Sequence, residues 1–505
     1  MVPESQPSIR PVSLSPRHRV PLRDTGRGRA VAIVGAGFSG TVAAIHLRHA
    51  LPPDCAVLLF DRSGRFARGP AYAASEAPHW LNVRSVNMSA LPHDPGHFER
   101  WRADNAARWP GEVQDTEAGT FATRRIYGRY LRALLFQEMS QSGGRVRLCA
   151  DEAVGLDPAP DGGYRLRCAS GRTVAVAALV VATGNLPSSR PNDGVVVHDP
   201  WNPAATANLR PDEPVLVVGT GLTMVDLALD MAATGFNGPV IALSRRGLVP
   251  QRHGPPRPAV PSEPVTAAEQ ASLTALLRRV RARVAAAVAS GGDWRAVIDG
   301  LRPVTASLWQ AMPPAERDRF LRHLRPFWDV HRHRLAPGPA DAFADLVERG
   351  VLQLKRGRVR AVQVRPEPQG PVARVTVQDR GACGTEELTV QRLIYATGIG
   401  TGVDGGGFVA AMIAAGLART DRHGMGIEVT DCLRLLDAAG DASGPAWALG
   451  PIVRGMFWEC TAVPDIRVQA VTVAEQVARS LNDSFTGSGY TGHDRNRKAG
   501  PAAVT

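Results

Sequence analysis

Paired cysteines, long apolar runs and concentrated blocks of charge are all missing from this sequence, and each absence removes a class of protein. The chain of 505 residues carries six cysteines, Cys55, Cys149, Cys168, Cys383, Cys432 and Cys460, with no CxxC or other close pair. That scatter argues against a disulfide scaffold or a redox-active dithiol and for a reducing, cytoplasmic setting. No uncharged apolar stretch reaches the roughly 18 residues that a membrane-spanning helix needs. The formal net charge is +12, but its arginines are spread along the whole chain. A dispersed excess describes a solvated surface better than a nucleic-acid footprint, which gathers basic residues on one helix or patch with aromatics between them. Residues 1–28 are rich in Pro, Ser and Arg and lack the apolar core of a secretory signal, so they read as a disordered leader. The tail from Asn482, rich in Gly, Ser and Asp, reads the same way.

What is present begins at Ala30. The apolar run Val31-Ala32-Ile33-Val34 suits a buried parallel strand and leads directly into Gly35-Ala36-Gly37-Phe38-Ser39-Gly40 and an apolar helical pattern. Each glycine has its own reason: Gly35 for a tight turn, Gly37 so that backbone amides can approach a pyrophosphate, Gly40 for close helix packing. The anion would rest on the helix N-terminus, at Phe38 and Ser39, where free N–H groups and the helix dipole favour it. A second strand, Ala56-Val57-Leu58-Leu59-Phe60, ends at Asp61 with Arg62 beside it, and an acid there can accept hydrogen bonds from an unphosphorylated ribose.

The same unit recurs. Val215-Leu216-Val217-Val218 runs into Gly219-Thr220-Gly221-Leu222-Thr223-Met224, with Met224 in place of the third glycine. Its next strand, Pro239 to Leu243, ends in Ser244-Arg245-Arg246, where the first unit has an acid. Two arginines and a hydroxyl there suit a ribose 2′-phosphate, which an aspartate would repel, so this unit is expected to take NADPH. Two further strands end alike, at Ala182-Thr183-Gly184 and Ala396-Thr397-Gly398, where small residues let the backbone pass close to a cofactor or a neighbouring domain. Between them, Ala267 to about Phe327 has helical periodicity, with Leu273, Leu276, Leu277, Val280 and Val284 expected to be ordinary core of an inserted helical lid.

Two dinucleotide units, each closed by an Ala-Thr-Gly strand, resemble the architecture shared by flavin-containing monooxygenases and pyridine-nucleotide reductases. More specifically, Leu81-Asn82-Val83, Met88-Ser89-Ala90, Tyr127-Gly128-Arg129-Tyr130, Trp328-Asp329-Val330-His331-Arg332-His333-Arg334, Leu449-Gly450-Pro451 and Phe457-Trp458-Glu459 resemble the bacterial FAD-NAD(P)-binding family that includes flavin-dependent amino-acid N-monooxygenases. The resemblance implies an α/β fold of two Rossmann-like domains, with an FAD domain (29–211 and 401–481) interrupted by an NADPH domain (212–400) that carries a helical insertion at about 264–335. Disordered ends are expected at 1–28 and 482–505. It also implies that Gly440-Asp441 is the late element that binds the flavin ribityl chain.

The activity so implied is NADPH-driven reduction of FAD, then N-hydroxylation of a small amine or amino acid by molecular oxygen through a C4a-peroxyflavin. On that reading Asn82 is a neutral amide near the flavin or nicotinamide ring. Arg124, Arg125 and Arg129 could hold a substrate carboxylate, and Trp447, Phe457 and Trp458 are candidates to pack on the ring. His331 and His333, set among arginines with only Asp329 near, argue against a metal site and for an interdomain contact. Two alternatives stay open: a reductase that passes electrons to a quinone or a protein acceptor without oxygen insertion, and a flavoprotein that binds nucleic acid. Homo-oligomerisation is compatible with the sequence.

Overall fold

The computed structural model describes residues 29–486 apart from 73–78, 161, 187–189, 191, 382–383 and 399–405. The leader, Cys383 and the tail beyond 486 lie outside the described residues. Five short runs of mostly β-branched and aliphatic residues form one parallel sheet in the order Ala446–Ala448, Ala178–Val181, Ala30–Val34, Ala56–Phe60, Val146–Cys149. Strands of this kind are apolar on both faces because helices cover both. Here the helix Phe38–Ala50 packs against the C-terminal helix Val463–Thr486, whose Ala470, Val473 and Val477 are fully buried. The helix runs to Thr486, so the chain is still helical at Asn482, where the sequence reads as frayed.

The second sheet has seven strands in the order Val196–Val197, Arg392–Tyr395, Val215–Val218, Val240–Ser244, Leu352–Arg365, Val372–Asp379, Thr385–Val390. The first five are parallel. Strand Leu352–Arg365 pairs with Val240–Ser244 as far as Arg356, then continues as an antiparallel ribbon with the last two strands. Strand Val196–Val197 corrects the expected boundary: the chain has already joined the second sheet there, before residue 212. Met224, in the place of the missing third glycine, is fully buried in the core beneath this sheet.

Between Ser244 and Leu352 lies the helical insertion, with helices Leu273–Ala289, Trp294–Gly300, Thr305–Ala311, Pro314–Arg319 and Arg325–Arg332. The helix Pro337–Glu348 then returns the chain and packs on Leu222–Ala233. One expectation fails here. In Leu273–Ala289 only Leu273 is buried, while Leu276, Leu277, Val280 and Val284 are partly exposed because the helix lies on the outside of the insertion. Among the described residues no helix is long and apolar enough to cross a membrane.

Candidate active site

In parallel α/β sheets ligands bind beyond the carboxyl ends of the strands, and the first sheet gathers there most of the residues read from its sequence. Gly35 has φ +103°, and a Cβ on it would overlap the Ala182 carbonyl. A Cβ on Gly40 would overlap the Gly35 carbonyl oxygen, so the helix sits directly on the turn. Gly37 is the N-cap of Phe38–Ala50 and no side chain caps it, which leaves the amides of the first turn for an anion. The Asp61 carboxylate accepts from the Ser63 amide at 2.9 Å and the Ser63 hydroxyl at 2.6 Å through one oxygen, and from the Ala36 amide at 3.4 Å through the other. Beside the turn, the Thr183 hydroxyl is buried with no partner. An uncapped helix, a cradle that a Cβ would fill and an orphaned buried hydroxyl fit a dinucleotide with its pyrophosphate on Phe38 and Ser39. Arg62 turns away to pair with Glu152 at 3.7 Å on an exposed surface.

Gly440 and Asp441 do not join this group. They precede strand Ala446–Ala448, whose parallel register with Leu179–Val181 sets them at the amino ends of the strands, opposite the glycine turn. The Asp437–Asp441 turn closes on itself, Asp437 accepting from the Asp441 amide at 2.9 Å, and Gly440 lies against Arg419. What the strand delivers to the glycine turn is its other end, Leu449-Gly450-Pro451. Gly450 has φ +79°, and a Cβ there would overlap the Ser39 side chain. The sequence signal for it is a short apolar strand ending in Gly-Pro. Trp447 lies within that strand, 1% exposed, and is core.

The second sheet repeats the arrangement. Gly219 has φ +122° and sits on the Ala396 carbonyl, as Gly35 sits on Ala182, and Gly221 is the uncapped N-terminus of Leu222–Ala233, so that Leu222 and Thr223 form its first turn. Gly398, at φ +93°, and Thr397 are exposed at the same end. Thr220 donates to the Ser244 hydroxyl at 2.9 Å, and that hydroxyl accepts from the Gly247 amide at 2.9 Å, which fixes the turn carrying Arg245 and Arg246. The two arginines part company there. Arg246 donates to the His323 carbonyl at 2.9 Å and lies 5.0 Å over Phe327, so it fastens the insertion, whereas Arg245 is exposed. Arg356, paired with Ser244 in the sheet register, and Arg380, whose Nη1 reaches the Arg245 carbonyl at 3.4 Å, complete an exposed basic cluster that the sequence reading missed. Only strand pairing brings these three arginines together.

The residues offered for substrate binding around Tyr127-Gly128 are used otherwise. Arg124 pairs with Asp226 at 2.8 Å, and His79 with Asp230 at 2.7 Å, both across the domains onto the helix behind the second glycine turn. Burial raises the Asp226 carboxyl, with Arg124 and then His79 opposing. Arg125 pairs with Glu112, and Arg129 lies 3.9 Å from Glu112 and 4.8 Å over Trp109. Asn82 is half-buried and its carbonyl accepts from His253 Nε2 at 3.0 Å. Burial, then the charge of Arg334, lowers His253 to about 3, so its ring is neutral and this bond pins the Asn82 main chain.

The Trp328–Arg334 segment makes an interdomain contact. Trp328 Nε1 donates to Glu459 at 2.7 Å and Arg332 lies 3.2 Å from the other oxygen of the same carboxylate. Burial alone would raise Glu459, but Arg332 and His333 hold it below the usual carboxylate range. Trp458, next to it, stacks on Trp309 of the insertion at 5.0 Å.

Residues 32–186 match a family model described as FAD-NAD(P)-binding. Among solved structures the chain superposes on ornithine N-hydroxylase of Kutzneria sp. 744 with a TM-score of 0.60 and 16% identity, covering 90% of this chain and 100% of that one. The chain shares the fold of this N-hydroxylase. L-lysine 6-monooxygenase of Pseudomonas syringae gives a TM-score of 0.60 at 15% identity, over 90% of this chain and 100% of that one. Cadaverine monooxygenase of Erwinia amylovora gives 0.58 at 12%, over 88% and 94%. In sequence, nitrosuccinic acid synthase of Aspergillus oryzae is 33% identical over 135 residues, 23% of this chain. The chain spans only 20% of the length of that curated relative.

Proposed function

We propose that this protein is an NADPH-dependent, FAD-containing monooxygenase that hydroxylates the nitrogen of a small amine or amino acid with molecular oxygen. The observation that carries the reading is the pair of uncapped glycine-turn helices, at Gly37 and Gly221, on two parallel sheets in a chain with the amine monooxygenase fold. Gly35, Gly37, Phe38, Ser39, Gly40, Thr183, Gly184 and Gly450 would hold FAD, with Asp61 on its ribose. Gly219, Gly221, Leu222 and Thr223 would hold the NADPH pyrophosphate, with Ser244 and Arg245 at the 2′-phosphate and Thr397 and Gly398 at the crossing between domains. When bound, the flavin accepts hydride from NADPH and activates oxygen. The chain's own part is to position and to exclude water. The Arg124–Asp226 and His79–Asp230 pairs fix the two nucleotide sites relative to each other, and the Glu459 clamp holds the helical insertion over the C-terminal segment. Asn82, its main chain pinned by His253, is free to offer its neutral amide to the ring system. The free thiols among the described residues suit a cytoplasmic enzyme.

The test is stoichiometry. FAD-loaded protein is reduced with NADPH, exposed to oxygen with a panel of amines and amino acids, and assayed for hydroxylamine and peroxide. Hydroxylamine matching the NADPH consumed supports the proposal. Peroxide in place of hydroxylamine for every compound refutes it and leaves a reductase.

A further inference from the structure

The segment that follows the Leu449-Gly450-Pro451 loop carries a buried guanidinium two of whose donors find no hydrogen bond among the described residues. Arg454 is 4% exposed, and its Nε and Nη2 atoms are buried and make no hydrogen bond. These two donors form one edge of the guanidinium, the edge that meets both oxygens of a carboxylate side by side. An arginine kept this way costs stability. The neighbouring charges do not resolve it. Asp421 is buried against Gly455 and accepts from the His423 amide at 2.8 Å through one oxygen, while its Oδ2 has no partner. Burial raises the Asp421 carboxyl, and Arg454 is lowered to about 10 by burial and then by Arg325. Arg325 is itself engaged, with its Nε 3.4 Å from Asp329 and its guanidinium 5.7 Å from the Trp458 ring centre. It also reaches the second glycine turn region, 3.7 Å from where a Cβ on Gly398 would lie.

Two independent features mark the same spot. Trp458, on the turn that ends helix Arg454–Phe457, has φ +57° and ψ −69°, a conformation that a bulky residue holds only under constraint. Phe320, 5.2 Å from the Trp458 ring in an edge-on contact, opens a π-helical turn, Phe320–Leu324, of the kind that gathers at functional sites, and Arg325 follows it directly. Strain, an irregular helix and an unpaired buried cation meet where the flavin-side loop, the insertion and the second Ala-Thr-Gly strand converge.

We propose that the free edge of Arg454, with Arg325 beside it, binds the carboxylate of the substrate, so that the substrate is an amino acid and not a decarboxylated amine. This rests on the reading of the chain as an N-hydroxylating monooxygenase, and it makes Arg454 a specificity-determining residue.

The experiment measures binding to the oxidised, FAD-loaded protein by calorimetry, with no NADPH and hence no turnover, so it succeeds or fails apart from whether the bound compound is hydroxylated. The probes are the proteinogenic amino acids and L-ornithine, each with the amine left by removing its α-carboxylate, and NADP⁺ as a control anion. At least one amino acid is expected to bind about 100-fold more tightly than its decarboxylated partner. Arg454→Gln should erase that difference, and Arg454→Lys should keep part of it by retaining charge without the paired edge. NADP⁺ affinity should be unchanged in both variants, with circular dichroism and flavin content reporting that each is folded. If Arg454→Gln fails to fold, Arg454→Lys and the amino-acid/amine pairs in the parent protein decide the matter alone. The proposal is overturned if no amino acid binds, if the decarboxylated partners bind as well, or if the variants weaken NADP⁺ instead.

Discussion

Replacing Arg245 and Arg246 one at a time should separate cofactor choice from domain attachment. Arg245 is exposed at the carboxyl end of its strand, beside the exposed Arg356 and Arg380, and it forms no ion pair among the described residues. Its charge-assisted hydrogen bonds to a 2′-phosphate would contribute about 1.5–3 kcal/mol, so Arg245→Ala should weaken NADPH by roughly 10- to 150-fold and leave NADH nearly unchanged. Arg246 already donates to the His323 carbonyl and covers Phe327. Arg246→Ala should therefore lower stability by about 1 kcal/mol and affect both nucleotides alike. The assay is anaerobic stopped-flow flavin reduction at varied NADPH and NADH, giving a dissociation constant for each. Equal weakening of both nucleotides by Arg245→Ala, or NADPH selectivity lost in Arg246→Ala alone, would refute the division of labour.

Flavin retention tests where the last strand points. Gly450→Ala should lower the flavin content of purified protein sharply, because a methyl group there meets Ser39 at the pyrophosphate turn, whereas Asp441→Ala should leave flavin content at the parent level. Glu459→Gln should cost about 3–5 kcal/mol by leaving Arg332 buried without its counter-charge, read as a lower midpoint in denaturant. Acid should also weaken the fold through His253. Its folded value near 3 lies below the ordinary histidine value of 6.5 that the unfolded chain keeps, so the unfolded chain binds the extra proton and stability falls as pH drops from 6.5 towards 3, by about 1.4 kcal/mol per pH unit. His253→Gln, which can still donate to the Asn82 carbonyl, should flatten that slope, and an unchanged slope in denaturation midpoints across this range would count against it.

Much of this was legible because glycine turns are written locally. Strand, Gly35-x-Gly37-x-x-Gly40, helix and Asp61 fall within about one βαβ unit, and each requirement is set by backbone sterics that one stretch of chain reveals. The second unit was readable for the same reason even with Met224 in the third position. What failed was non-local. Gly440-Asp441 looks right as a string, but only the register of Ala446–Ala448 against Leu179–Val181 shows at which end of the sheet it lies. Arg124 and Arg129 look available for a ligand until Asp226, Glu112 and Trp109 are brought up to them by other elements. Arg356 and Arg380 carry no motif at all. Leu276 and Val280 show that helical periodicity reports an apolar stripe without saying how deeply it is buried.

The order of strands in the first sheet bears on how the chain is made. Ala446–Ala448 and the helix Val463–Thr486 complete a domain whose first strand is Ala30–Val34, so four strands emerge early and wait for an edge strand and a covering helix from the far end. The second domain, by contrast, is synthesised as one continuous stretch and can close first. During synthesis the strand Ala178–Val181 therefore has an open edge and the helix Phe38–Ala50 an uncovered face. A truncation shortly after residue 440 would leave both permanently exposed, on a chain otherwise complete in its second domain.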